Sequence, residues 1–322
     1  MAIIEIENLT KIYNGLIAVN SINLNVDKGE IFGLLGPNGA GKTTTLLMLA
    51  TLIKPTSGTA KINGFDILKQ ASEVRKSIGI VFQDPSSDDI LTGYENLKLH
   101  GMLYNIPNNL IEKRIEEVLE LVELTNRKND LVKKYSSGMR RRLEIARGLM
   151  HHPKILFLDE PTIGLDPRSR EHIWRYIEKL VEEEKITIII TTHYMEEADR
   201  LCDRVAIMDY GKVVVFNTPE KLKKSLSGDI VKLRADSIDM ELLKNLSYVK
   251  SISKFNSEIS LTVENANEHL QEILKFTGEV KSIEIHPATL DDVFLHYTGR
   301  TIEDEPAEGG FGKRVLTARA RK

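Results

Sequence analysis

Four short runs of uninterrupted apolar residues punctuate the first two-thirds of the chain: Ile31-Phe32-Gly33-Leu34-Leu35, Ile78-Gly79-Ile80-Val81-Phe82, Ile155-Leu156-Phe157-Leu158 and Ile186-Thr187-Ile188-Ile189-Ile190. Continuous apolar runs of this length predict strands buried on both faces, as in a parallel sheet. Other segments alternate instead. Ile4, Ile6 and Leu9 alternate with polar positions, and so do Ile22, Leu24 and Val26 before the turn Asp27-Lys28-Gly29-Glu30, so residues 2–35 read as β-rich. A short strand at 59–62 leads into Asn63-Gly64, a hairpin signal, and a further hairpin is expected at 204–216 around Asp209-Tyr210-Gly211-Lys212. Between 90 and 134 the period changes. Leu110, Ile111, Ile115, Val118, Leu119 and Val122 recur at helical spacing, which predicts a helical insert over about 88–150, with Glu112, Lys113, Arg114, Glu116 and Glu117 on its solvated face.

A boundary is expected near Ser225-Leu226-Ser227-Gly228, so that 1–225 forms one domain and 229–300 a second. The second reads as strand 230–234, helix 238–246, strands 249–255 and 259–263, helix 267–276 and strand 280–285, an order that predicts a ferredoxin-like α+β sandwich. A short helix follows at 290–297. From Thr301 onward acids, a Gly309-Gly310 pair and then bases predict a disordered tail over 301–322.

Composition narrows the picture in three ways. A formal net charge of −3 provides no general attraction to nucleic acid, so no such partner is expected. The single cysteine, Cys202, excludes an intrachain disulfide and reads as a small core residue beside Leu201 and Val205. No apolar run approaches the ~20 residues of a membrane helix, and the chain starts directly in the strand pattern Ile3-Ile4-Glu5-Ile6 without a signal peptide. The expectation is a cytosolic protein whose membrane role, if any, comes through a partner.

The candidate chemistry centres on Gly36-Pro37-Asn38-Gly39-Ala40-Gly41-Lys42-Thr43-Thr44, placed between a strand run and the helix face Leu46-Leu47-Met48-Leu49-Ala50. That context and spacing define a phosphate-binding loop. Its glycines let backbone N–H groups converge on an anion at a helix N-terminus, Lys42 adds a full charge for the β- and γ-phosphates, and the Thr43 hydroxyl is placed to ligate Mg²⁺. Tyr13, before the turn Asn14-Gly15, is either a packing residue or a stacking face for a nucleobase, and the loop downstream tilts it toward adenine. Three further polar groups follow apolar runs, at the strand edge where open α/β sheets collect ligands. These are Gln83, whose amide oxygen can reach Mg²⁺ or water; the pair Asp159 and Glu160, read as a Mg²⁺ carboxylate and a general base; and His193, a donor for the γ-phosphate. Ser136 reads as the cap of a helix over 141–150, and with Gly138 as a second anion site. One nucleotide cannot easily fill both sites, so this one is expected to serve a nucleotide bound to a second copy. His151-His152 before Pro153 reads as a surface turn, Trp174 as a packing residue, and the eight scattered histidines as no zinc site.

Tyr13, the 36–44 loop, Gln83, Ser136 to Arg140, Asp159-Glu160, Asp166 and His193, in that order, resemble the ATP-binding cassette (ABC) ATPases over residues 2 to about 225. The resemblance implies a P-loop NTPase α/β core with an antiparallel β subdomain and a helical subdomain. It also implies ATP and Mg²⁺ as cofactors, with Thr43, Gln83 and Asp159 around the metal and Glu160 as the catalytic carboxylate. Gln83 would link the metal to a membrane partner, and Asp166 would be the residue of the loop that faces the other subunit. Such proteins form a head-to-tail dimer around two ATP molecules and drive an integral-membrane permease, which would place this chain on the inner face of the membrane. Tyr135-Ser136-Ser137-Gly138-Met139 departs from the usual L-S-G-G-Q signature. With Met139-Arg140-Arg141-Arg142-Leu143-Glu144 and the segment Leu290-Asp291-Asp292-Val293-Phe294-Leu295-His296-Tyr297-Thr298-Gly299, it resembles the drug- and antibiotic-resistance exporter branch. Ser137 stands where glycine is usual. The competing class is a soluble ABC-type ATPase acting as a switch outside transport. A DNA-repair form would need a long coiled coil before the signature, and a translation-factor form would need two cassettes in one chain; the sequence has neither feature.

Overall fold

The computed structural model describes residues 2–255 and 258–300, so Met1, Asn256-Ser257 and the tail expected from Thr301 lie outside the described residues. These form two compact units, the first running to Val213 and the second starting at Val214. The division lies twelve residues before the boundary expected from Ser225. The helix at Pro219–Lys224 packs with the last helix of the second unit, a long-range contact that local composition does not signal.

In the first unit, β1 (Ala2–Tyr13), β2 (Leu16–Asp27), β4 (Ser57–Ile62) and β5 (Phe65–Asp66) make an antiparallel sheet in the order β2-β1-β4-β5. A second sheet has the order β10-β9-β3-β8-β7-β6, from β3 (Ile31–Leu35), β6 (Ile78–Val81), β7 (Ile155–Asp159), β8 (Thr187–Thr192), β9 (Arg204–Asp209) and β10 (Lys212–Asn217), the last of which crosses the division at Val213. Strands β3, β7 and β8 are buried at every position, as their unbroken apolar runs predict. The helices of this unit are α1 (Lys42–Leu49), α2 (Ala71–Ser77), α3 (Gly93–Leu103), α4 (Asn108–Leu121), α5 (Ser137–Leu149), α6 (Pro167–Glu182) and α7 (Met195–Leu201), with α1 against β7, α7 against β3 and β8, and α3 and α4 packed on α5. One apolar core contains residues of both sheets and of α1, among them Ile4, Leu9 and Ile62, Leu46 and Met48, and Phe32, Phe157 and Ile189.

The helical insert is α3 and α4 followed by α5. Thr92 and Glu95 form a reciprocal capping box at the start of α3, and α4 buries Ile111, Ile115, Val118 and Leu119, the stripe seen in the sequence. His151 is not part of a free surface turn. Its ring stacks on Tyr104 (centroids 3.9 Å apart, planes 13° apart) and its Nε2 lies 2.8 Å from the carbonyl of Ile78, with burial pushing its pKa down. The stacking partner is 47 residues away in sequence, beyond the reach of local pattern.

The second unit contains α8 (Pro219–Lys224), β11 (Asp229–Ala235), α9 (Met240–Lys244), β12 (Val249–Phe255), β13 (Glu258–Val263), α10 (Ala266–Leu274), β14 (Val280–Pro287) and α11 (Leu290–Thr298). The βαββαβ chain from β11 to β14 forms a sheet in the order β12-β13-β11-β14, antiparallel throughout, as expected for a ferredoxin-like sandwich. Its core is Val231, Leu243, Leu261, Val263 and Ile273.

Two close approaches set how the first unit is packed. Cys202, fully buried, lies under β3, where a Cβ at Gly33 would come within 2.7 Å of its sulfur. Helix α5 passes so near β6 that a Cβ at Gly79 would sit 2.2 Å from the carbonyl oxygen of Gly148. Gly79→Ala is therefore expected to force these backbones apart and to cost about 1–3 kcal/mol, the usual range for overpacking. An unchanged denaturant midpoint in that variant would contradict the packing.

Candidate active site

Parallel pairing gathers the chemistry at one sheet edge. Leu35 is paired with Thr192, Asp159 with Thr191, and Val81 with Leu158, so the residues just past β3, β6, β7 and β8 emerge side by side. These are the 36–44 loop, Gln83, Glu160 and His193.

The loop is shaped by glycine. Gly39 and Gly41 have φ of 83° and 103°, and Gly41 caps α1. A Cβ at Gly36 would strike the carbonyl of Met208 at 2.2 Å, and one at Gly41 that of Ala18 at 2.5 Å. Gly211 donates its N–H to the carbonyl of Ala40 (3.0 Å), so the β9–β10 turn props the loop from below. Pro37 and Ala40 are buried while Asn38 and Gly39 face solvent. The loop ends in the first turn of α1, whose early N–H groups have no acceptor within the helix and whose dipole favours an anion. Lys42, only 5% exposed, donates to the carbonyls of Gly36 (2.6 Å) and Pro37 (3.1 Å) and pairs with Glu160 Oε1 at 3.2 Å. Thr44 is buried at the base of the helix.

Two carboxylates stand over this loop. Asp159 Oδ1 accepts from the Thr43 hydroxyl (3.1 Å) and the Thr191 hydroxyl (2.5 Å). Burial pushes its pKa up, against the pull of those two hydroxyls. A hydroxyl and a carboxylate oxygen 3.1 Å apart, at the head of a phosphate loop, are hard oxygen donors that fit Mg²⁺. Glu160 is held in the left-handed region at φ 48°, unusual for a non-glycine residue, and its N–H is fixed by the Thr191 carbonyl (3.1 Å) and hydroxyl (3.0 Å). Its side chain spans from Lys42 to His193, whose Nδ1 lies 2.7 Å from Oε2. Burial alone would raise the pKa of Glu160, but the His193 hydrogen bond and the Lys42 charge outweigh it and the net shift is downward. Glu160 is thus an ionised carboxylate at neutral pH.

Four residues outside the sequence expectation, Thr191, Arg141, Glu144 and Glu197, hold this arrangement. Thr191 serves both carboxylate residues; the only trace of it is the Thr-Thr end of an apolar run. Arg141, 6% exposed, donates to the carbonyls of Phe82 (2.5 Å), Asp159 (2.9 Å) and Pro161 (2.7 Å), tying the segments around Gln83 and Glu160 to α5. Burial pulls its pKa down to about 10. Glu144, one turn on, accepts from the N–H groups of Ser86 and Ser87 and from the Ser86 hydroxyl. Glu197 on α7 is fully buried and accepts from the Thr162 hydroxyl (2.8 Å) and the Trp174 indole (2.9 Å), so Trp174 combines packing with a polar contact.

The remaining expected residues fall in two places. Tyr13 ends β1, in a hairpin whose return strand β2 abuts the loop at Ala18, and the Lys11 ammonium lies 5.0 Å from its ring centre. Gln83 is exposed in the loop after β6, level with Glu160. Ser136, Ser137 and Gly138 open α5, the Ser136 hydroxyl accepting from Met139 N–H (3.2 Å). Asp166 caps α6 by accepting from Ser169 N–H (3.0 Å). A cleft of about 270 Å³ runs between these two helix starts, and its lining, including Ser136, Gly138, Arg168 and Ser169, contains no residue of the 36–44 loop. The start of α5 and the 36–44 loop therefore line separate surfaces.

Residues 19–163 match the family described as ABC transporter, and residues 218–298 the family described as ATP-binding protein DrrA1-3-like, C-terminal domain. Over 95% of this chain and 95% of the relative, it is 38% identical to the daunorubicin/doxorubicin resistance ATP-binding protein DrrA of Streptomyces peucetius. The chain belongs to the ATP-binding subunits of ABC transporters. The linearmycin resistance ATP-binding protein LnrL of Bacillus subtilis is 37% identical over 94% of this chain and all of the relative. A Nod factor export ATP-binding protein I from Cupriavidus pinatubonensis is 38% identical over 94% of this chain and 93% of its own length. Among solved structures, cbiO1 of Clostridium perfringens, part of an ABC transporter complex, aligns with TM-score 0.65 and 32% identity over 70% of this chain and 93% of that one. The cassette MJ0796, solved as a dimer in a post-hydrolysis state with ADP and Pi, aligns with TM-score 0.61 and 30% identity over 67% of this chain and 98% of that one. The fold is thus that of an ABC ATPase cassette, and the resistance-exporter resemblance of the signature and of the 290–299 segment agrees with these relatives.

Glu197 supplies a test of the buried network. Burial raises its pKa above the ordinary carboxylate value, against the hydrogen bonds it accepts. An acid with a raised folded pKa carries a penalty when ionised, present in full above that value and fading as pH falls toward the unfolded one. Glu197→Gln keeps an acceptor oxygen and removes the charge. It is expected to raise the thermal midpoint at pH 8, with the gain shrinking as pH is lowered toward the ordinary carboxylate value; a loss of stability at pH 8 would refute the assignment.

Proposed function

We propose that this ABC ATPase powers an exporter of drug-like or lipid-like compounds, two copies enclosing two ATP molecules while gripping a separate integral-membrane permease. The names of its relatives support this reading: two record resistance, to daunorubicin/doxorubicin and to linearmycin, and one records Nod factor export. No helix among the described residues is long and apolar enough to cross a membrane, which fits a subunit working through a membrane partner. The observation that carries the two-copy reading is the separation of the chain's two anion sites. The start of α5, with Ser136, Ser137 and Gly138, and the adjoining Asp166 turn would complete the loop of the other copy.

In this reading the triphosphate lies along residues 36–44, with Tyr13 against adenine and the Lys42 ammonium on the β- and γ-phosphates. Thr43 and Asp159, joined by Gln83, would hold Mg²⁺, which when bound neutralises charge on the phosphate oxygens. Glu160, ionised and backed by His193, polarises a water molecule in line with the γ-phosphorus. Water oxygen bonds to phosphorus, the bond to the bridging oxygen of ADP breaks, and the water proton passes toward Glu160, giving ADP and phosphate. His193 remains within reach of the γ-phosphate and keeps Glu160 aimed.

Glu160→Gln preserves shape and removes the base. It is expected to lower ATP turnover by about 10²–10⁴-fold while retaining ATP binding, and to accumulate an ATP-bound dimer on size-exclusion chromatography; native turnover would overturn the role. Ser137→Gly, at the position that departs from the common signature, is expected to change ATP-dependent dimerisation more than the affinity of the monomer. Equal effects on both would place Ser137 away from the partner's nucleotide.

A further inference from the structure

His193 cannot hold Glu160 unless something holds His193, and the structure provides that support. The ring of the next residue, Tyr194, lies against the imidazole with centroids 4.1 Å apart. Over the Tyr194 ring sits the guanidinium of Arg170, its Cζ 4.6 Å from the ring centre. Arg170 Nε is buried and finds no hydrogen-bond acceptor among the described residues, so the aromatic face is what this cation is matched to.

Arg170 stands in the first turn of α6, where its N–H binds the carbonyl of Asp166 (2.9 Å), the residue that caps the helix. Further along, α6 and α7 are bridged twice more. The Trp174 indole donates to Glu197, and Arg200 packs over the Trp174 ring while pairing with Glu171. The Arg170–Tyr194 contact is the end of this zipper nearest the site. It leads from Asp166 through Arg170 and Tyr194 to His193 and Glu160 without a gap.

We propose that Arg170 is a positioning residue for hydrolysis: its charge clamps the Tyr194 ring, the ring holds the His193 imidazole, and the imidazole aims Glu160. The inference rests on the reading of Glu160 and His193 given above and deepens it. It links the aim of the hydrolytic pair to the turn that would face the second copy, so that seating of the Asp166 turn and alignment of His193 become one event.

The test is steady-state hydrolysis of MgATP by the full-length chain. Arg170→Ala is expected to lower kcat about tenfold, a loss of aim and not of chemistry, with KM for ATP within about twofold of native. Tyr194→Leu should match it, Tyr194→Phe should keep native kcat because the ring is retained, and the Arg170→Ala, Tyr194→Leu double variant should be no worse than either single one. Native kcat in Arg170→Ala, a defect confined to KM, additive losses in the double variant, or a Phe variant as poor as Leu would each overturn the inference. If Arg170→Ala fails to fold, the Phe and Leu variants at Tyr194 decide between these outcomes. His193→Ala separates the two levels of the argument. If it hydrolyses ATP normally, the reading of the site is wrong; if it is inactive while Arg170→Ala is native, only the clamp is wrong.

Discussion

A buried ammonium facing a buried carboxylate is the interaction around which the first unit is arranged. Lys42 and Glu160 are each only 5% exposed, and either one alone at that depth would carry a large desolvation penalty. Their 3.2 Å contact is tolerable because both have further partners, the carbonyls of Gly36 and Pro37 for one and His193 for the other. The sheet must therefore bring the ends of β3, β7 and β8 to the same height. A slip of register in either parallel pair would leave charge in the core without compensation. The left-handed backbone at Glu160 belongs to the same constraint, since it turns the side chain back over the loop while Thr191 fixes the peptide. Paired charges of this kind are exchangeable. Lys42 has donors to give to phosphate oxygens, and His193 keeps Glu160 compensated while it does so.

Helix α5 connects that pair to the rest of the cassette. Its first residues form the signature, its second turn sends Arg141 to the carbonyls flanking Gln83 and Glu160, and its third holds the Ser86–Ser87 turn through Glu144. One helix therefore touches both the sheet edge at Asp159 and the loop after β6 that carries Gln83 and Ser86-Ser87. The glycine contact between β6 and α5 removes the side-chain layer that would otherwise cushion relative movement.

Much of this was legible in the chain itself. Unbroken apolar runs located the buried strands, and the polar residues that follow them are the ones the structure brings together, because parallel strands all end toward one side of their sheet. The βαββαβ order of the second unit followed from the same periodicities. What escaped was long-range. Arg141 looks like one of three consecutive arginines in a helix, and nothing local distinguishes the one that is buried. Thr191 reads as the end of a strand until register places it beside Asp159. His151 reads as a turn residue until α3 folds back and delivers Tyr104. The packing of α8 with α11, some seventy residues downstream, likewise has no local signal.

Cys202 has a use that its role in packing does not suggest. It fills the space beneath β3 that Gly33 leaves open, and complete burial pushes its thiol pKa well above the usual value. The protein therefore carries one thiol, shielded and un-ionised, and no other thiol competes for a reagent. A cysteine introduced on the exposed start of α5 would react alone. Spin labels, fluorophores or cross-linkers could then follow that surface without first stripping the chain of its natural thiol.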